Sequence, residues 1–118
     1  MSEFIMLYRR TLEVADKSMG TPERAQQSIT KWRAWLKELT DKNILKDVGQ
    51  PLDNAGMVVT GPRKLVTDGP YAESKDIIGG YSIINADDLT HAAHIAGGCP
   101  LLEFGGCVEV RPVMKLDI

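Results

Sequence analysis

After the tripeptide Thr21-Pro22-Glu23, apolar residues return at Ala25, Ile29, Trp32, Leu36 and Leu39, in steps of four and three. This spacing predicts an amphipathic helix with one apolar stripe, widened by Trp35. Thr21 can cap the free N–H groups, Pro22 suits the first helical position, and Glu23 complements the positive end of the dipole. Asn43 can take the left-handed conformation that ends the helix. A helix with a single apolar stripe has to lie on another layer, so the rest of the chain must supply that layer.

Strand-like segments supply it. "EFIMLYR" reads as a first strand, and residues 10–20 are polar without a clear period. "ILKDVGQPL" starts as a strand and runs into a loop. "GMVVTG" and "RKLVTDG" read as two short strands about a turn, and "GGYSIINA" as another. "DDLTHAAHIAGG" predicts a shorter helix, capped by Asp87 or Asp88 and stopped by Gly97, with Leu89, Ala92, Ala93 and Ala96 as its stripe. "CPLLEFGG" is a connection and "CVEVRPV" a last strand. The order β-α-β-β-β-α-β holds two strand-helix-strand halves. It predicts an α+β, ferredoxin-like (split βαβ) antiparallel sheet with two helices on one face and an added hairpin. The opposite face would remain a large apolar patch, so a homodimer closed through it, a dimeric α/β barrel, is expected. On the last strand Val108 and Val110 should lie under the helices, with Cys107, Glu109, Arg111 and Val113 on the other side.

The 118 residues read as one domain, 1–118. A formal charge of −2 gives no basic field for phosphates, which argues against direct nucleic-acid binding. No apolar run is long enough to span a membrane, and the N-terminus lacks the pattern of a signal peptide. Cys99 and Cys107 are too few for a disulfide framework and fit a reducing cytoplasm, where they read as small apolar residues rather than catalytic thiols. His91 and His94 fall on the polar side of the second helix with no acid or cysteine arranged to complete a metal set, so neither metal nor cofactor is expected.

Three stretches, "LVTDGPYAESKDIIGGYSII", "ADDLTHAA" and "GGCVEVRPV", carry a resemblance. The chain resembles the DGPF branch of the YCII-related proteins, with Asp68-Gly69-Pro70-Tyr71 in place of Asp-Gly-Pro-Phe and a similar Val-Glu-Val-Arg-Pro-Val ending. The resemblance implies a dimeric α/β barrel and a small-molecule enzyme or binder. It also implies a link to transcription initiation through neighbouring sigma-factor genes. The active histidine of the YCII-type enzymes falls here on Trp32, which cannot exchange a proton in ordinary catalysis.

The candidate residues each have a structural and a functional reading. Asp68 is either a turn carboxylate bonded to its own backbone or a general base at a cleft mouth. Glu109 and Arg111 form either an ion pair that fixes dimer register or an acid–base and anion-holding set. Tyr8, Trp32 and Tyr71 are either packing aromatics or the wall of a ligand site. Two functions follow. One is a homodimeric small-molecule-binding or regulatory module, with a cleft between the first helix, the Asp68–Tyr71 loop and the last strand. The other is a small hydrolase, lyase or isomerase with Asp68 or Glu109 as general acid/base.

Overall fold

Alternation along "SEFIMLYRR" decides which way the sheet faces. Phe4, Met6 and Tyr8 are buried, while Ile5, Leu7 and Arg9 between them are half-buried on the other side. The computed structural model describes residues 1–69 and 76–117. Its elements are β1 (Ser2–Arg10), α1 (Leu12–Met19), α2 (Pro22–Asp41), β2 (Leu45–Asp47), β3 (Gly56–Thr60), β4 (Leu65–Gly69), β5 (Ile77–Ala86), α3 (Leu89–Ala96) and β6 (Cys107–Pro112), with a 3-10 turn at Pro100–Phe104 before the last strand. The main sheet runs β2-β5-β1-β6 and is antiparallel throughout. That is the expected α+β, ferredoxin-like order, with the β3–β4 hairpin standing apart from it.

The helix ends follow from their capping residues. Thr21 accepts from the Arg24 N–H at 3.1 Å, and Asp88, rather than Asp87, accepts from the His91 N–H at 2.8 Å. Asn43 sits at φ 61°, the left-handed stop that its sequence position implies. The segment 45–47 is an edge strand on β5 that gives way to a loop, as "ILKDVGQPL" reads. Three expectations need correction. Residues 12–19 are helical, with Thr11 capping Val14; only Val14 and Ser18 are buried, too sparse a stripe to show as a period. Along α2 the buried residues are Ser28, Trp35 and Leu39, while Ile29 is exposed. Along α3 they are Ala92, Ile95 and Ala96, with Leu89 and Ala93 outside. Both stripes are rotated by about one residue, because the sheet below selects the face.

The core joins the sheet's even-numbered face to Trp35, Leu39, Ala92, Ile95, Cys99 and Leu101. Val108 and Val110 pack against it from β6, as their alternation requires. The hairpin contributes nothing to this core: Met57, Val59 and Leu65 are 74%, 64% and 63% exposed. It gives the chain a radius of gyration of 15.7 Å, against about 13.5 Å for a compact domain of this length.

Between β1 and β5 the register steps at Tyr8/Arg9, leaving Gly79 as an extra residue in β5. The Gly79 carbonyl turns to accept from Leu52 N–H at 2.9 Å, and Pro51 bridges to Gly80. This lashes residues 48–52 along the end of the sheet. Gly49 makes that path possible: its φ is +72°, and a Cβ there would stand 1.8 Å from the Tyr81 carbonyl oxygen. Gly49→Ala should therefore cost about 2–5 kcal/mol in a urea unfolding titration. Gly61→Ala, at φ +73° with open space around it, should cost no more than about 1–2 kcal/mol.

Candidate functional site

A cavity of about 540 Å³ opens on the helical side of the sheet. Its floor is Tyr8, Arg10 and the Gly79–Ser82 stretch of β5. One wall is α2, through Ser28, Ile29, Trp32 and Leu36; another is the lashed segment Val48–Leu52; Ser18 and Met19 of α1 and Leu101 complete the lining. The size suits a small organic molecule, and most of the lining is apolar.

The aromatic side is ordered. The Tyr8 and Trp32 rings meet edge to face at 4.8 Å and 85°, and Trp32 meets Trp35 at 5.7 Å. Tyr8 Oη donates to Ser82 Oγ at 2.8 Å, and Ser82 Oγ donates to the Val48 carbonyl at 2.7 Å. The relay is complete, so these buried hydroxyls stabilise the site instead of costing free energy. Burial holds the Tyr8 phenol above its usual value, with the Ser82 hydrogen bond opposing and the nearby Cys99 adding to the rise. Burial also pushes the Cys99 thiol up to about 12, against a backbone hydrogen bond from Leu101. Both groups are neutral at ordinary pH and poor nucleophiles.

Two polar atoms of the lining behave differently. Ser18 Oγ donates back to the Val14 carbonyl at 3.1 Å. Ser28 Oγ, on a residue 1% exposed, has no hydrogen-bond partner among the described residues. The same holds for Arg10 Nη1, although Arg10 Nη2 donates to Asn54 Oδ1 at 2.8 Å. Neither residue was a sequence candidate. The signal existed: Arg10 continues the buried phase of Phe4, Met6 and Tyr8, and Ser28 lies one turn before Trp32 on the stripe that α2 buries.

Of the sequence candidates, Tyr8 and Trp32 meet at this cavity. Asp68, Glu109 and Arg111 are not among its described lining residues. Asp68 sits on the exposed hairpin opposite Met57. Glu109 pairs with Arg9, not with Arg111: Arg9 Nη1 stands 3.1 Å from Glu109 Oε1, and its Nη2 is 3.7 Å from Asp76. The sheet register explains this, because Arg111 lies opposite Ile5 while Glu109 lies opposite Leu7, next to Arg9. The Cys107 thiol reaches Asp76 at 3.8 Å, and it is raised by burial, with Arg9 lowering it and Asp76 and Glu109 raising it further. Tyr71 lies outside the described residues, as do Glu73, Ser74 and Lys75.

His91 Nδ1 accepts from the Asp87 N–H at 3.0 Å, a second cap on α3, and His94 is exposed. Among the described residues no three His, Cys, Asp or Glu side chains gather as metal ligands, and no helix is long and apolar enough to cross a membrane. The sequence pattern of the YCII-related domain matches residues 4–117. The chain belongs to the YCII-related family. No curated protein matched it in a sequence search. In this YCII-related protein, Trp32 therefore stands as an aromatic wall of the cavity.

The raised Tyr8 and Cys99 give a pH signature. In the unfolded chain these groups lose their protons near 10 and 9, while in the fold they keep them to higher pH. The unfolded state then binds fewer protons, so stability is full below about pH 9 and falls as pH climbs toward 12. Melting curves from pH 8 to 11 should show that fall, and Tyr8→Phe and Cys99→Ala should each flatten it.

Proposed function

We propose that this protein is a homodimeric small-molecule-binding module whose ligand occupies the Tyr8–Trp32 cavity. The carrying observation is the pairing of an apolar, aromatic-walled space with polar atoms left unsatisfied inside it. An unpartnered buried polar group costs roughly 1–3 kcal/mol. Two in one cavity (Ser28 Oγ and Arg10 Nη1) are best explained by a ligand that completes them.

The hydrolase, lyase or isomerase reading draws less support. It needs Asp68 or Glu109 beside the reacting atoms, and neither is among the described lining residues. The link to transcription initiation rests on the resemblance to the DGPF branch. A binding module would serve it through its ligand or through a protein partner, since the chain carries no cationic field for DNA.

The homodimer is supported by the sheet face opposite the helices. Ile5 pairs with Ile83 and Leu7 with Tyr81, which sets an apolar centre on that face. The Glu3–Lys46 and Arg9–Glu109 ion pairs flank it. An apolar centre with a charged margin is the usual make-up of a protein interface. A second copy is the occupant whose face matches by symmetry.

Two measurements test the proposal. A thermal-shift screen against cellular metabolites should find a stabilising compound, worth about 2.7 kcal/mol at a hundred times its dissociation constant. Trp32→Ala should abolish the shift. A screen without hits, or a shift that survives Trp32→Ala, would count against the cavity as the site. Light scattering should give twice the 13.0 kDa chain mass, and Leu7→Arg should return it to 13.0 kDa. A monomeric wild type at high concentration would remove the dimer.

A further inference from the structure

We infer that the cavity selects an amphipathic monocarboxylate, whose apolar body lies against Trp32, Ile29 and Leu36 and whose carboxylate meets Arg10. This rests on the binding reading above and names the chemistry of the ligand.

The argument begins with the arginine. A guanidinium stays charged at any pH a protein experiences and presents five N–H donors and no acceptor. Arg10 enters the cavity from the last residue of β1, and one of its terminal nitrogens is engaged by the neutral Asn54 side chain. The other, Nη1, is closed off from solvent and unpaired, and Arg10 takes part in no salt bridge among the described residues. A cation held so is costly until an anion reaches it. Its neighbour along β1, Arg9, shows the contrast: it is satisfied by Glu109 and Asp76 on the opposite face.

The guanidinium lies against the bulge. A Cβ at Gly79 would stand 2.9 Å from both Nε and Cζ of Arg10, so the bulged glycine leaves the space in which the group lies. Any larger residue would displace it. A planar fork of this kind matches the two oxygens of a carboxylate.

The rest of the lining limits the anion. Arg10 is the only cationic side chain among the described lining residues, and the other buried polar atom there without a partner is the neutral Ser28 hydroxyl. One positive charge balances a monocarboxylate. It leaves a phosphate dianion or a dicarboxylate with charge buried and unpaired. Exposed apolar rim residues, among them Ile29, Val48 and Leu52, favour a ligand with an aromatic or branched hydrocarbon body.

The test uses matched pairs on the full chain: 4-phenylbutyrate against 4-phenylbutyramide, octanoate against octanamide, and phenyl phosphate as the dianion. Calorimetry and quenching of tryptophan fluorescence report binding. The carboxylates should bind at least about tenfold more tightly than their amides, the usual difference for a charge-assisted hydrogen bond. Phenyl phosphate should bind more weakly than phenylbutyrate. Arg10→Met should erase the preference by weakening the carboxylates while leaving the amides unchanged, and Arg10→Lys should keep part of it. Both variants are checked for folding by circular dichroism. Equal binding of acid and amide to the wild type, or a preference that persists in Arg10→Met, overturns the inference and leaves the binding module standing. Tighter binding of phenyl phosphate overturns the choice of carboxylate. Failure of every compound, charged or neutral, overturns the inference together with the binding reading.

Discussion

The hydroxyl relay from Tyr8 through Ser82 to the Val48 carbonyl ties together three separate parts of the chain. β1 supplies the phenol, β5 the serine, and the segment after β2 the acceptor. Without the relay, Ser82 would be an orphan hydroxyl in the core, and the Val48 end of residues 48–52 would lose its tie to the sheet, leaving the Leu52–Gly79 hydrogen bond and the Pro51–Gly80 bridge at the other end. The relay therefore completes the wall of the cavity beside Trp32. It does so with neutral groups, so it holds at any pH at which the phenol keeps its proton.

The ion pairs contribute less. Most are between exposed partners, such as Lys37 with Asp41 and Lys42 with Glu38 along α2, and such pairs are worth a few tenths of a kcal/mol. Burying Met6, Ile84 and Trp35 removes far more area from water, with each side chain worth roughly 1.5–3 kcal/mol. The fold is thus set by which face of each element is apolar, and the charges are left to decorate the margins and to mark Arg10 as an exception.

Much of the architecture was legible in the chain because capping and alternation are local. Thr21, Asn43 and Asp88 each mark a helix end through a backbone need that one residue meets. Strand phase on β6 followed from Val108 and Val110 alone. The rotation of α2 and α3 was not legible, since the buried side of a helix is chosen by the partner sheet and small residues such as Ser28 and Ala92 carry little hydrophobic signal. The site was half legible. Tyr8 and Trp32 are aromatic and drew attention, whereas Arg10 looked like the polar end of a strand. Its burial depends on Gly79 and Asn54, which are far away in sequence. The Asp68 and Glu109 candidates came from local motifs, and local motifs do not say which side chains converge.

The step at Gly79 also acts as a clutch on the sheet. Past it, Ile77 turns inward and Ile78 outward, the reverse of what an unbroken two-residue period from Ser82 and Gly80 would assign. Sliding β5 one place along β1 would have to carry Ile77 out into water and the glycine away from the guanidinium at the same moment. Both effects meet at a single residue without a side chain, so the phase of the central pairing and the seat of the arginine turn on the same tooth.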